Sequence, residues 1–244
     1  MIAMIFAAGL GTRLAPLTDD RPKALVEFNG RTMLENVAAK LVNAGCSRLI
    51  VNVHHFPQMM KEYIASHDFG VEVGISDESE MLLDTGGGIW KARTLLKNEP
   101  HLILYNVDIF CDIDIIKMYD RHVNSGSLAT LAVMERKSTR NLIFDDTMQL
   151  CAWRNLTTGE SKTSRPYDEA TSHPLAFSGI SIVDCGIFNK ITERGKFSLT
   201  DLYLRLAKTE KIHGYLHAGK WADLGSIDKL AAAKKLFFNS TSQE

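Results

Sequence analysis

A continuous apolar run near the amino terminus constrains the fold more than any other feature of the sequence. The run covers residues 2–8 and ends at Gly9. An uninterrupted apolar stretch of this length is typical of a strand buried on both faces, as in a parallel sheet. The sequence therefore predicts a sheet that contains this strand and is covered by helices on both faces.

Strand-like and helix-like segments alternate through the first half of the chain. Further apolar strands are expected at residues 48–53, 71–76 and 102–106. Amphipathic helices are expected between them: one begins after a capping box of Thr32 and Glu35, and others cover residues 57–67 and 86–96. This alternation indicates an α/β fold with right-handed crossovers between parallel strands.

The pattern changes after about residue 128, where strands predominate. They are expected at residues 129–134, 142–144, 176–183 and 212–217. The polar segment 157–174 contains two prolines and is expected to form a mobile loop or a weak hairpin. In the last helix, Ile227, Leu230 and Ala231 are expected to face inward. The tail 239–244 is expected to fray.

Length, charge and cysteine spacing exclude several classes of protein. The 244 residues fit a single domain, 1–244, with a core part at about 1–127 and a second part at about 128–238. The formal net charge of −1 argues against a general nucleic-acid or membrane-surface binder. The four cysteines form no C-x-x-C pair, so a zinc site is not expected. We expect a cytoplasmic protein, monomeric or a small homo-oligomer, without nucleic-acid or membrane partners.

A glycine-rich turn directly after the first strand predicts a phosphate site. Backbone N–H groups of such a turn bind phosphate oxygens, and glycine allows close approach. Arg13 adds a fork of donors and Lys23 a point charge. The spacing fits neither a P-loop nor a dinucleotide fingerprint. The alternative is a turn that only reverses the chain. The residues expected to contact nucleotide here are Ala7, Ala8, Gly9, Gly11, Thr12 and Arg13.

Two further segments carry candidate binding residues. Asn106 and Asp108 follow an apolar strand, where ligands bind in open α/β sheets, and a carboxylate there suits Mg²⁺. Asp112 and Asp114 are expected to cap the following helix instead. Residues 86–88 are three glycines at a helix start. They predict a floor without side chains for a nucleobase, although close helix packing is the alternative. The residues expected to contact nucleotide in that segment are Thr85, Gly86 and Gly87.

The run G-x-G-x-R-x-x-P-L-T from Gly9, with P-K-x-L at residues 22–25, resembles the sugar-phosphate nucleotidyltransferase family. The chain is similar to N-acetylmuramate-1-phosphate uridylyltransferases and, a little less specifically, to mannose- and heptose-1-phosphate guanylyltransferases. The resemblance covers nearly the whole chain. It implies a Rossmann-like (GT-A-like) α/β fold with a mixed, mainly parallel sheet and no C-terminal β-helix. It also implies direct in-line attack of a sugar 1-phosphate on a nucleoside triphosphate, with pyrophosphate as the leaving group.

The resemblance also implies roles for single residues. Arg13, Lys23 and Asp108 would be catalytic. Asp223, in the segment W-x-D-x-G, would be the second Mg²⁺ ligand beside Asp108; by itself it fits a turn aspartate equally well. The first strand and the glycine turn would bind the nucleotide, with UTP favoured. The residues expected to bind the sugar are Ser178, Gly179 and Lys196.

The sequence departs from the family in two places. Val107 stands where members usually have glycine, which raises the question whether the site is narrowed. Many members carry a Glu-Lys pair whose lysine meets the sugar phosphate; no such pair is found, and Lys162 lies in the polar segment. The alternatives to a uridylyltransferase are a guanylyltransferase, a phosphocholine cytidylyltransferase and a nucleotide-binding sensor without turnover.

Overall fold

The computed structural model describes residues 1–96 and 99–238 and contains the alternating elements that the sequence predicts. The expectation for the tail 239–244 lies outside the described residues. The strands are β1 Ile2–Phe6, β2 Glu27–Phe28, β3 Arg31–Thr32, β4 Arg48–Val53, β5 Glu72–Asp77, β6 His101–Asn106, β7 Ile109–Cys111, β8 Ala129–Met134, β9 Arg140–Phe144, β10 Leu150–Asn155, β11 Ser161–Thr163, β12 His173–Asp184, β13 Ile212–Leu216 and β14 Trp221–Asp223. The helices are α1 Met33–Asn43, α2 Pro57–Ser66, α3 Asp84–Leu96, α4 Ile115–Ser125, α5 Leu199–Leu206 and α6 Ile227–Phe238. Over the described ranges, every helix is too short or too polar to cross a bilayer.

Four parallel strands form the centre of the main sheet, in the order β5, β4, β1 and β6. Side chains of β1 alternate between two hydrophobic clusters, with Ala3 and Ile5 in one and Ile2 and Met4 in the other. The first cluster includes apolar residues of α1, α2, α4 and α6, and the second includes those of α3 and α5. Helices therefore cover both faces, as predicted.

The second half of the chain extends the same sheet with antiparallel pairings. The long strand β12 pairs with β6 on one side and with β8 on the other, and β13 then pairs in parallel with β8. The start of β12 pairs with β9, which continues into β10 and β11. The pairing of β12 with β8 shifts register between Phe177 and Ser181, and Gly179 within this bulge has a φ of 77°. Bulges of this kind are frequent beside active sites, because they re-aim the strand.

The polar segment 157–174 forms the hairpin that was one of its two predicted alternatives, because β11 pairs with β10. Other small elements were not predicted. Strands β2 and β3 form a two-residue hairpin at Asn29 and Gly30, which both have positive φ. An Asn-Gly pair is the strongest short hairpin signal, so the sequence does contain this information.

Two predictions about side chains are wrong. In α6 the buried residues are Leu230 and Ala233. Ile227, which is 45% exposed, and Ala231 face solvent, so the inward face of the helix is rotated about its axis from the predicted one. Asp114 caps α4 as expected, accepting from Lys117 N at 3.0 Å. Asp112 instead accepts a hydrogen bond of 3.0 Å from Lys220 N, and so holds the segment that precedes β14.

Candidate active site

The candidate site lies at the carboxyl ends of the central parallel strands. The glycine turn follows β1, and Asp108 follows β6, its direct neighbour. Val107 N donates to Phe6 O at 3.2 Å and so joins the two strand exits. The Val107 side chain is 4% exposed and packs in the core. The valine at this position is therefore accommodated by the core, and the strand exit is intact.

A short ribbon brings the second carboxylate to the first. Strand β14 pairs antiparallel with β7, which places Asp223 opposite Ile109, the residue after Asp108. Leu224 N then donates a hydrogen bond of 2.7 Å to Asp108 O. Two segments far apart in sequence are thus fixed side by side through backbone contacts.

Three charged groups converge on Gly225. A Cβ atom built there would lie 2.7 Å from Asp223 Oδ1, 3.0 Å from Arg13 Nη2 and 3.1 Å from Asp108 Oδ2. A side chain at position 225 would collide with these groups, so their close approach requires glycine. Arg13 was predicted to bind phosphate, and Asp108 and Asp223 to hold a metal ion; the structure brings all three together.

Each carboxylate of the pair is already in contact with a lysine. Lys23 Nζ forms an ion pair with Asp108, and Lys229 Nζ forms one with Asp223. Burial opposes ionisation of Asp223, but the hydrogen bonds from Lys229 and from Gly225 N, with the charges of Lys229 and Lys23, outweigh it and lower its pKa. Asp223 is therefore ionised throughout the neutral range.

The carboxylates of Asp108 and Asp223 fit a hard divalent cation. In residues 1–96 and 99–238, no group of three or more His, Cys, Asp or Glu side chains is placed so that it could hold a metal ion by itself. Two carboxylate ligands suit Mg²⁺, which is usually held by one or two carboxylates plus phosphates and water. Asp223 Oδ1 and Asp108 Oδ2 both face the same point beside Gly225, 2.7 Å and 3.1 Å from its Cβ position, and these two oxygens would be the ligands of such an ion.

A cavity of about 330 Å³ is lined by Asp108 and by four of the ten residues predicted to bind nucleotide. Its wall includes Ala8, Gly9, Lys23, Thr85, Asn106 and Lys196. A Cβ at Gly9 would meet no atom within 4 Å, so the turn presents its backbone to the cavity. Thr12 and Arg13 continue this turn as a short 3-10 segment, with Gly11 in the left-handed region at a φ of 72°.

Two residues that shape this cavity, Asn52 and Glu78, were not predicted from the sequence. Asn52, in the middle of an apolar strand, accepts a hydrogen bond of 2.7 Å from Ala7 N and donates one of 2.8 Å to Glu78. Glu78 is fully buried, and burial raises its pKa. Asn52, which is itself held by Glu78, therefore fixes the backbone at Ala7, where the glycine turn begins. A lone asparagine in the strand R-L-I-V-N-V is the signal that could have revealed it, because a buried amide needs partners.

The glycines at the start of α3 do not form an open floor, which corrects the prediction for Gly86 and Gly87. Both donate to Phe197 O, at 3.0 Å and 3.2 Å. A Cβ at Gly86 would lie 2.4 Å from the Phe197 ring, and one at Gly87 would lie 2.2 Å from Gly195 O. Their backbone groups are therefore used in close packing against the segment before α5. Thr85 lines the cavity and accepts a hydrogen bond of 3.0 Å from Leu199 N.

The predicted sugar-binding residues lie on both sides of the site. Lys196 lines the 330 Å³ cavity. At Gly179, a Cβ would meet Ile109 at 2.8 Å and Asn106 Nδ2 at 3.0 Å, so β12 closely approaches the segment that contains Asp108. The Ser178 side chain is fully buried, and its hydroxyl is 2.8 Å from His217 Nε2. The prediction that this side chain contacts sugar is therefore wrong.

A second cavity, of about 740 Å³, lies on the other side of Asp223. Its wall includes Arg13, Arg136, Trp221 and Lys229. A third, of about 480 Å³, shares Arg136 and is lined by Trp153, Lys162 and Phe177. Sequence reasoning did not single out Arg136, because nothing in a polar run that follows a strand distinguishes one cation from its neighbours.

The chain is similar to several known proteins. Residues 2–142 match the family model described as nucleotidyl transferase. The chain is 32% identical over 249 residues to an N-acetylmuramate alpha-1-phosphate uridylyltransferase of Caulobacter vibrioides, with 96% of both chains covered. It is 26% identical to a mannose-1-phosphate guanyltransferase of Gibberella zeae, over 100% of this chain and 66% of that one. HddC from Yersinia pseudotuberculosis superposes with a TM-score of 0.76 at 21% identity, over 97% and 99% of the two chains. The structural likeness confirms the predicted fold.

Proposed function

The chain belongs to the nucleotidyl transferase family, and we propose that it transfers a nucleoside monophosphate from a nucleoside triphosphate to a sugar 1-phosphate, with release of pyrophosphate. The convergence of Arg13, Asp108 and Asp223 beside Gly225 carries this proposal. Two carboxylates and a guanidinium at one point suit a metal-bound triphosphate. The names of the uridylyltransferase and guanyltransferase relatives support a sugar 1-phosphate as acceptor.

The glycine turn and Arg13 would bind the β- and γ-phosphates, which leave as pyrophosphate. Gly9 offers its backbone to the cavity, and Arg13 points at the carboxylate pair. Lys23 and Asp108 line the cavity together as an ion pair, and Lys23 would contact the α-phosphate there. Donors that are fixed before the substrate binds stabilise developing charge without reorganisation, and this is the largest contribution expected here.

Asp108 and Asp223 would hold Mg²⁺, which when bound offsets negative charge at the α-phosphorus. The lysines that contact these carboxylates in the structure would then be available to phosphate oxygens. The attacking oxygen of a sugar phosphate is already ionised at neutral pH, so no general base is required. The chain's main task is to align two anions that repel each other.

The two parts of the chain would bind different substrates. Residues 1–127 contain the glycine turn, Asn52 and Asp108, and we propose that they bind the nucleotide. Residues 128–238 contain the bulge in β12, Arg136 and Asp223, and we propose that they bind the sugar phosphate and complete the metal site.

We favour UTP as the donor. The identity of 32% to a uridylyltransferase over nearly all of both chains supports it. The carboxylate of Glu78 would suit the paired donors of guanine, yet it is fully buried and accepts from Asn52 at 2.8 Å and from Leu83 N at 3.4 Å. A base that needs two matched acceptors would lose about 1–3 kcal/mol of binding free energy for each one missing, which for two is on the order of 30-fold or more in affinity.

The test is a pyrophosphate-release assay of four nucleoside triphosphates against a panel of sugar 1-phosphates with Mg²⁺. The expected result is turnover with UTP at the highest kcat/KM. Asp108→Asn and Asp223→Asn should lose it, whereas Asp114→Asn, which keeps a good helix cap, should not. Higher kcat/KM with GTP would replace the uridylyl assignment by the guanylyl one. Absence of release with every pair would contradict the proposed function.

A further inference from the structure

Arg136 lies on the sugar side of the site in a fixed orientation. Its guanidinium carbon is 4.0 Å from the centre of the Trp221 ring, and Nη2 donates to Phe177 O at 3.0 Å. Trp221 is itself held, because its Nε1 donates to Ser178 O at 2.9 Å. The side chain is therefore fixed between β14 and the bulge of β12. Fixed guanidinium groups lose little entropy when they bind an anion.

The charge of Arg136 is not matched by a carboxylate in direct contact. In the part of the chain that the structure describes, no acid forms a salt bridge with it, and its buried Nε has no hydrogen-bond acceptor. Burial lowers the pKa of Arg136, and the charge of Asp223 opposes that shift. A half-buried cation with donors to spare is costly unless an anion joins it.

Arg136 also stands where two cavities meet. It lines the cavity that contains Arg13 and Asp223. It equally lines the neighbouring cavity, whose Trp153 and Phe177 offer apolar rings and whose Ser198 and Thr200 can offer hydroxyls. Such a lining suits a sugar ring, and the phosphate attached to that ring would then lie at the junction, next to Arg136 and within reach of the carboxylate pair.

We propose that Arg136 binds the phosphate of the sugar 1-phosphate and supplies the second phosphate-binding cation that sequence reasoning could not assign; this rests on the proposed function. Lys23 is assigned above to the α-phosphate. The other cations that line the 740 Å³ cavity beside Arg136 and Arg13 are exposed, whereas Arg136 is half-buried and stacked on Trp221; they are Lys137, Arg140 and Lys229. Lys162, the remaining candidate from the sequence, forms an ion pair of 2.8 Å with Asp201. Arg136 holds the attacking phosphate opposite Arg13, which faces the leaving group.

The experiment compares Arg136→Met and Arg136→Lys with Arg93→Met. Arg93 is a matched control, because it also stacks on a tryptophan, Trp90, at 4.3 Å and donates to a backbone carbonyl at 2.8 Å. The Met variant should raise KM for the sugar 1-phosphate about tenfold to hundredfold, the range for a lost hydrogen bond to a charged group. KM for the triphosphate should change less than about twofold, and Arg136→Lys should recover part of the loss.

Three results would overturn the proposal. The first is an unchanged KM of Arg136→Met for the sugar 1-phosphate. The second is an equal rise of its KM values for the sugar 1-phosphate and for the triphosphate, because this would indicate only a structural role for the stack on Trp221. If Arg136→Met does not fold by circular dichroism, Arg136→Lys carries the same comparison. Wild-type protein without turnover would contradict the proposed function. In that case, calorimetric titration with the sugar 1-phosphate tests the role of Arg136 separately. The third result is that wild type and variant bind the sugar 1-phosphate with equal affinity, or that neither binds it.

Discussion

Lys23 forms a direct ion pair with Asp108, so one of the two candidate metal ligands is held by a cation of the chain itself. A divalent ion must compete with Lys23 for that carboxylate, because both need the same oxygen. Lys23→Met should therefore bind Mg²⁺ at least as tightly as the wild type and yet turn over more slowly, by about 10²-fold. Calorimetric titration with Mg²⁺ checks the affinity, and kcat in the pyrophosphate-release assay checks the rate. Weaker Mg²⁺ binding in this variant would contradict the competition.

Arg13 should matter more to the transition state than to binding. Charge grows on the leaving pyrophosphate, and the guanidinium is placed beside both carboxylates at Gly225. Removal of one such donor commonly costs about 10²–10³ in rate. Arg13→Met should lower kcat by that order in the pyrophosphate-release assay, with Arg21→Met, an exposed arginine that pairs with Asp20, as control. A change confined to KM would show that Arg13 contributes only to binding.

Two glycines should respond in opposite ways to the same substitution. Gly87→Ala places Cβ 2.2 Å from Gly195 O, so the backbone must move, and overpacking of this kind costs about 1–3 kcal/mol. Gly9→Ala meets no atom within 4 Å, so its free energy of unfolding should stay within about 0.5 kcal/mol of the wild type. Its methyl group should instead raise KM for the triphosphate. Urea unfolding and initial rates distinguish the two, and equal stability of both variants would be inconsistent with the close packing of α3.

His122 should make the protein sensitive to acid. It is fully buried beside Thr130, and burial lowers its pKa to about 4. The unfolded chain binds a proton at this residue near pH 6.5 and the folded chain does not, so stability falls as pH falls from about 6.5 towards 4. The slope from one such group is at most about 1.4 kcal/mol per pH unit. His122→Gln should flatten the change of Tm over this window, and His173→Gln, at an exposed site, should not; equal slopes would refute the assignment.

The sequence predicted those parts of the site that depend on local patterns. The apolar run of β1, the glycine turn and the aspartate after β6 are each written in a few consecutive residues. Their meeting at one sheet edge follows from the rule that parallel strands share a carboxyl edge. Arg13 and Asp108 could for this reason be placed together without a structure.

The remainder depends on contacts between distant segments. The ribbon of β7 and β14 is only three residues long on each side, so no periodic pattern marks it, and Asp223 was placed only by resemblance. The sequence around Gly86 and Gly87 would be the same whether these glycines faced a base or Phe197 O. Which of the two they face depends on where the segment before α5 lies. Arg136 is distinguished by its stack on Trp221, which lies at the other end of the chain.

The ribbon that brings Asp223 to Asp108 also has a consequence for synthesis on the ribosome. The central parallel strands and the glycine turn are all translated before Asp108, and domains begin to form from the amino terminus as the chain emerges. A nascent chain can therefore hold the phosphate-binding turn long before β14 exists. Until that strand emerges and pairs with β7, one carboxylate is missing. The growing polypeptide thus acquires the glycine turn of the proposed nucleotide site early and the second carboxylate of the proposed metal site late.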